Sequence, residues 1–191
     1  VVTLLRLAPS GSAARDVRDS ALGQPMVDTV VRYEASAYNT FHAVIADLQT
    51  SLGRKTVVEG YQELPFRTTT VQTRPSAEGE MLRLLNGARA ENGLPPLEMD
   101  ATLTNVARLH SKDMLARGYF SHDTPEGVTP FDRIQAAGVR YRAAGENLAL
   151  APTVQVAHDG LMKSPGHRRN ILTPEYRRVG IGAVRAGARG T

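Results

Sequence analysis

Apolar side chains recur twice at the spacing of an α-helix in the second half of the chain. The first helix is predicted to begin near Ser76 and to end at Asn92-Gly93. The second is predicted to follow Asp100, a favourable N-cap residue, and to end at Gly118. Its apolar stripe comprises Leu103, Val106, Ala107, His110 and Met114. Helices with such a stripe pack one face against a core.

Shorter elements follow the two long helices. The pattern predicts, in order, a helix over 130–138, an extended segment over 141–150, a helix over 154–162, a short helix over 164–172 and a strand over 179–184. Helices and strands are mixed without repeating βαβ units. This order favours an α+β layered domain.

The first 75 residues have a weaker pattern. Val1 to Leu7 is a short apolar run that ends in a cluster of helix- and strand-breaking residues. Residues 17–52 predict a weakly amphipathic helix, and residues 68–75 predict an extended linker. The pattern therefore predicts two parts, a mostly helical extension and linker over 1–75 and a layered domain over 76–191.

Composition adds limits to this picture. The chain has 191 residues, of which 41% are hydrophobic, enough for one globular core. No apolar run approaches the roughly 18 residues that a membrane-spanning helix needs. Cysteine is absent, which excludes disulfides, thiolate metal sites and a cysteine nucleophile. Because the chain begins at Val1, we expect that a signal sequence or a membrane anchor could lie upstream.

The chain is basic, with a formal charge of +4 and an isoelectric point near 9.7. Near the C-terminus a single acid, Glu175, accompanies seven cations, namely Lys163, Arg168, Arg169, Arg177, Arg178, Arg185 and Arg189. Such a surface favours anionic polymers, although a solvated arginine-rich surface explains it more simply. Aromatic interleaving and nucleic-acid motifs are absent, so we predict no nucleic-acid partner.

Three motifs occur together in the second half of the chain. They are Phe120-Ser121-His122, the Gly-Glu-Asn-Leu-Ala stretch at 145–149, and Ser-Pro-Gly-His-Arg-Arg-Asn-Ile-Leu at 164–172. In this order they resemble the bacterial branch of the CAP superfamily, which groups cysteine-rich secretory proteins, antigen 5 and pathogenesis-related 1 proteins. Each motif alone is weak, but the set in order is specific. The resemblance covers about Ser76 to Val184.

The resemblance implies a three-layer α/β/α sandwich with an open cleft. In eukaryotic members two histidines and two acids line this cleft. By residue-to-residue match, His122, Glu146 and His167 supply three of the four groups, and the second acid falls near Ser164, which is not acidic. Imidazole and carboxylate are ligands that zinc accepts. We therefore expect His122, His167 and Glu146 to be able to hold a divalent metal such as zinc, with no other cofactor.

Two departures from the family pattern are visible. Leu161 lies where relatives often carry a tryptophan, and relatives continue beyond the strand at 179–184 into a further strand. Either the chain is truncated or the sheet lacks an edge strand. The N-terminal part faintly resembles the tail of CvpA-type membrane proteins, which would make Val1 to Leu7 the end of a membrane helix. A plain helical linker explains the same residues.

Each candidate side chain also has a structural interpretation. His122 could bond a loop, Glu146 could accept backbone N–H groups, and Ser164 could cap the helix that carries His167. A serine nucleophile formed by Ser164, His167 and Glu146 is disfavoured, since the Gly-x-Ser-x-Gly elbow is missing. His110 and His158 lie on apolar helix faces and are predicted to be core residues.

These observations predict an extracytoplasmic protein, secreted or membrane-anchored in the cell envelope. Its cleft is predicted to bind a small-molecule, lipidic or cell-wall-derived ligand, with or without a metal. The first alternative is a metal-dependent hydrolase or peptidase that uses the same cleft. The second is a structural adaptor coupled to a membrane partner. Binding without turnover is favoured, because one of the four cleft groups is missing.

Overall fold

The computed structural model describes residues 2–8 and 61–186. The described helices are α1 (Pro75–Glu91), α2 (Ala101–Arg117), α3 (Pro130–Ala136), α4 (Val154–Lys163) and α5 (Pro165–Ile171). The described strands are β1 (Val2–Ala8), β2 (Gln62–Glu63), β3 (Val71–Thr73), β4 (Glu98–Met99), β5 (Tyr119–Phe120), β6 (Ala143–Ala149) and β7 (Arg178–Ala186). None of the helices in this part of the chain is long and apolar enough to cross a membrane.

One sheet, with the strand order β3-β7-β1-β6, forms the centre of the fold. These strands pair in antiparallel fashion, and β4 adds a short parallel pairing with β7. The register places Leu4 beside Asn147 and Ile181, and Leu5 beside Glu146 and Gly180. A separate two-stranded ladder joins β2 and β5.

Helices cover both faces of the sheet. Neighbouring strand residues point to opposite faces, so Leu4 and Leu5 enter different cores. On the Leu4 face the core includes Met81, Leu85, Leu161 and Ile171, which come from α1, α4 and α5. On the Leu5 face it includes Leu103, Val106, Ala107 and Ile134, which come from α2 and α3. The predicted α+β, three-layer α/β/α sandwich is thereby confirmed.

Helix α2 lies unusually close to β7 because of two glycines. A Cβ atom at Gly180 would lie 2.2 Å from the carbonyl carbon of Leu103, and one at Gly182 would lie 2.3 Å from that of Ala107. Both contacts are with helix backbone, which cannot move aside cheaply. Leu161, the position of the family tryptophan, is buried in the opposite core.

The predicted helix ends agree closely with the structure. Asp100 caps α2, because its carboxylate accepts a 3.0 Å bond from the Leu103 amide. Gly118 ends α2 in the left-handed conformation with φ 74°. Helix α1 begins at Pro75, one residue before the predicted start.

The N-terminal run is a strand and not the end of a membrane helix, as one interpretation of the sequence had it. Val2–Ala8 is a strand that lies between β6 and β7, with its residues 3–7 buried. A continuous apolar run suits a strand covered on both faces. The sequence left open that the strand at 179–184 lacks a neighbour, but β7 pairs with β1 on one side and with β3 on the other.

Two further short strands lie before the predicted boundary at residue 76. Strand β2 pairs with β5, and β3, which the sequence assigned to a linker, pairs with β7. The described sheet therefore draws on residues from both predicted parts of the chain. The helix predicted over 17–52 lies outside the described residues.

Candidate functional site

A buried carboxylate on β6 is the centre of the candidate site. Glu146 lies in the sheet with only 2% of its side chain exposed. His122, in the loop that follows β5, bonds it through Nδ1, 2.7 Å from Glu146 Oε2. The His122 side chain is 19% exposed, so a ligand from solvent would meet the imidazole before the carboxylate.

The second partner of Glu146 is Arg133 on α3. Its Nη2 donates to Glu146 Oε1 at 2.9 Å, and its Nη1 donates to the backbone oxygens of His122 at 2.9 Å and Val128 at 3.0 Å. One guanidinium thus fixes the carboxylate and the loop that carries the histidine. A guanidinium is well suited to hold both groups, because its several N–H donors lie in one rigid plane.

The local sequence explains why Arg133 lies beside Glu146. Thr129 and Asp132 form a reciprocal capping box, and Pro130 occupies the first turn of α3. The capped start fixes the helix that carries Arg133. Arg133 was not among the site residues expected from the sequence. The available signal was the need of a buried glutamate for a cationic partner.

Electrostatics keep Glu146 ionised. Burial alone would raise the pKa of its carboxyl group, but the charge of Arg133 and the hydrogen bond from His122 outweigh burial, so the pKa is lowered. The site therefore contains a fixed negative charge that the guanidinium of Arg133 compensates.

His110, predicted as a core residue, is buried on α2 and supports the loop before His122. Its Nε2 lies 2.9 Å from the backbone oxygen of Ser121. Burial lowers the pKa of this imidazole, which favours the neutral form. A neutral ring with a proton on Nε2 donates to Ser121 and holds the backbone next to His122.

His167 lies on α5, and the structure gives it different neighbours from the other two residues. Its Nδ1 bonds the hydroxyl of Ser164 at 2.8 Å. Ser164 occupies the predicted N-cap position of α5, but its side chain makes no capping bond and its hydroxyl orients His167 instead. Burial, followed by the charges of His122 and Arg6, lowers the pKa of His167 to about 3.

His167 is linked to the strand that carries Glu146 through the next residue of that strand. Asn147 points to the face opposite Glu146, and its side-chain amide donates to the backbone oxygen of His167 at 3.1 Å. Helix α5 packs on that face. The structure thus joins His122 to Glu146 directly and relates His167 to His122 through electrostatic influence.

A metal ion does not fit this arrangement well. Within residues 2–8 and 61–186, no three histidine or acidic side chains are grouped to hold a metal ion. Both oxygens of Glu146 already face cationic or N–H partners, and the guanidinium of Arg133 would repel a cation. The zinc site at His122, His167 and Glu146 stays a prediction from resemblance.

A family model described as "CAP: Cysteine-rich secretory protein family" matches residues 82–191. The chain belongs to the CAP family. Its CAP domain is 36% identical to an extracellular protein with an SCP domain from Bacillus anthracis strain Ames, with a TM-score of 0.55. That comparison covers 57% of this chain and 37% of the other.

Two proteins of Bacillus subtilis strain 168 resemble the CAP domain in sequence. YkwD is 38% identical over 127 residues, which are 64% of this chain and 49% of YkwD. The membrane protein YlbC is 35% identical over 111 residues, which are 58% of this chain and 32% of YlbC. The matched part thus spans half or less of each relative.

Proposed function

We propose that this CAP protein is an extracytoplasmic binding module that holds a small, lipidic or wall-derived ligand at His122. The observation that carries the proposal is the partly exposed imidazole fixed from behind by a buried, ion-paired carboxylate. Glu146 accepts a hydrogen bond from Nδ1 of His122 and so fixes the orientation of the ring. An extracytoplasmic location is supported by one relative described as extracellular and another named as a membrane protein.

The same geometry favours binding over hydrolysis. A general base needs a lone pair directed at water, yet both carboxylate oxygens of Glu146 are engaged by Arg133 and His122. Its lowered pKa also makes it a weak base. The residues are therefore arranged for rigid recognition.

A titration monitored by protein NMR tests the binding proposal. A disaccharide muropeptide and a lysophospholipid are added separately to the full chain. We expect one of them to shift the His122 imidazole signals, and we expect His122→Gln to abolish saturable binding. His158→Gln, on helix α4, is the control and should bind normally. Equal affinity in wild type and His122→Gln would refute a site at His122.

Calorimetric zinc titration addresses the hydrolase alternative. The double variant His122→Ala/His167→Ala is compared with wild type at pH 7.5. Stoichiometric zinc uptake that the double change removes would favour the metal-dependent hydrolase over simple binding. The adaptor alternative concerns mainly residues outside the described part of the chain and stays a prediction.

A further inference from the structure

A concave surface of about 580 Å³ lies where α4 meets α5 and the following turn. Its lining residues are Lys163, Pro165, Arg168, Arg169, Leu172, Thr173, Pro174 and Glu175. It shares no residue with the His122–Glu146–Arg133 site, and α5 lies on the other face of the sheet. The concavity is therefore distinct from the site of the proposed function.

The structure divides the late cations into two groups. Arg177 donates to the backbone oxygens of Pro174 and Tyr176, and Arg178 pairs with Asp100 at 2.7 Å. Arg185 donates to the Gln72 side chain at 2.8 and 3.0 Å. These three arginines are engaged in holding the fold together.

Two cations in the concavity, Lys163 and Arg168, differ from these three arginines. Lys163 and Arg168 are exposed, and neither makes an ion pair with any residue in the described ranges. Arg169 adds a third exposed cation to the lining, against one acid, Glu175. Charge is thus concentrated in a hollow rather than spread along the surface.

The wall of the concavity is held from inside by Arg89. This fully buried guanidinium donates to the backbone oxygens of Ile171 at 2.8 Å, Thr173 at 2.9 Å and Tyr176 at 3.1 Å. The Thr173 hydroxyl adds a 2.9 Å bond to the Arg169 backbone oxygen. The turn is therefore fixed without the side chains of Lys163 and Arg168, so a ligand would find these two cations on a preformed support.

We propose that this concavity binds phosphodiester groups of an anionic glycerol-phosphate polymer. Lys163, Arg168 and Arg169 complement the phosphate charge, and Pro165, Leu172 and Pro174 offer apolar contact to the carbons between phosphates. A hollow suits a polymer chain better than a flat bilayer. The lining also lacks the aromatic side chains that anchor proteins at a membrane interface.

Calorimetry on the full chain in 50 mM salt tests the proposal. Poly(glycerol phosphate) is the probe, and vesicles containing phosphatidylglycerol form a second arm. The test variant is Lys163→Gln/Arg168→Gln. The matched control is Arg140→Gln/Arg142→Gln, which removes the same charge from an exposed segment elsewhere. Circular dichroism verifies that each variant is folded.

We expect the test variant to bind the polymer about tenfold more weakly than wild type and the control to change by less than about twofold. We also expect wild-type affinity to fall steeply with salt. An equal loss of polymer affinity in both variants would show that the effect comes from net charge alone, and it would overturn the proposal. Absence of polymer binding by wild type, or vesicle binding without polymer binding, would overturn it as well.

Discussion

Two charged side chains, Glu146 and Arg6, are buried in the adjacent strands β6 and β1. They differ in whether their charged groups have hydrogen-bond partners among the described residues. Glu146 has a cation on one oxygen and an imidazole on the other. Arg6 is completely buried, and none of its three guanidinium nitrogens has a hydrogen-bond partner within the described residues. Burial lowers the pKa of Arg6 to about 10. Each residue leads to a different prediction about stability.

Arg133→Met should destabilise the domain by about 3–5 kcal/mol, because it leaves the Glu146 charge buried without its guanidinium. Urea unfolding at pH 7.5 measures the change. Adding Glu146→Gln should recover part of the loss, since the unpaired charge is then removed. The loss of stability in Arg133→Lys should be intermediate, because a single ammonium group cannot make all of the hydrogen bonds that the guanidinium makes. A loss below about 0.5 kcal/mol would contradict the ion pair.

Arg6→Met should stabilise the domain by about 1–4 kcal/mol, because an apolar side chain of similar length replaces an uncompensated buried cation. The free energy of unfolding in urea is the measurement. Strong destabilisation would contradict an uncompensated cation at this position.

His167 makes stability depend on pH. Its pKa is about 3 in the fold and 6.5 in the reference state, so below pH 6.5 the unfolded chain binds a proton that the folded chain excludes. Stability is full above pH 6.5 and falls as the pH decreases towards 3. The expected loss from this group is about 2 kcal/mol at pH 5.

His167→Gln should flatten the loss of stability between pH 7.5 and pH 5. Some slope should persist, because burial also lowers the pKa of His110. Thermal unfolding at both pH values measures the difference. Identical slopes in wild type and variant would show that His167 protonates normally in the fold.

At the scale of elements, the contact between α2 and β7 depends on missing side chains. Gly180→Ala should destabilise the domain by about 3 kcal/mol, because the new methyl group would overlap the Leu103 backbone. Gly79→Ala in α1 is the matched control, since a Cβ there meets nothing within 4 Å. It should stabilise the helix by about 0.5–1 kcal/mol. Equal effects in urea unfolding would contradict the close approach.

The sequence predicted elements with local signals and missed those that depend on distant partners. Asp100 and Gly118 mark the ends of α2 by their own chemistry. The seven-residue run of β1 has no such signal, since a short apolar run suits a buried strand or the end of a helix equally. Motif resemblance placed His122 and Glu146 in one site, but no spacing rule connects Arg133 to a carboxylate 13 positions away.

At the scale of the whole molecule, β1 joins two strands that would otherwise be separate. It pairs with β6 over Val2 to Ala8 and with β7 over Val2 to Leu7. Deletion of residues 1–8 should therefore abolish cooperative thermal unfolding and expose apolar surface to a hydrophobic dye. An unchanged melting transition would show that the sheet forms without this strand.

The register of β1 also has a consequence for folding during synthesis. Val2 pairs with Ala183, so the central ladder closes only after nearly all of the residues between them have left the ribosome. Pairings this distant along the chain are slow to form, because a large loop must close first. In a nascent chain the β1–β7 ladder therefore stays open until Ala183 has left the ribosome, although β6 is available to β1 earlier.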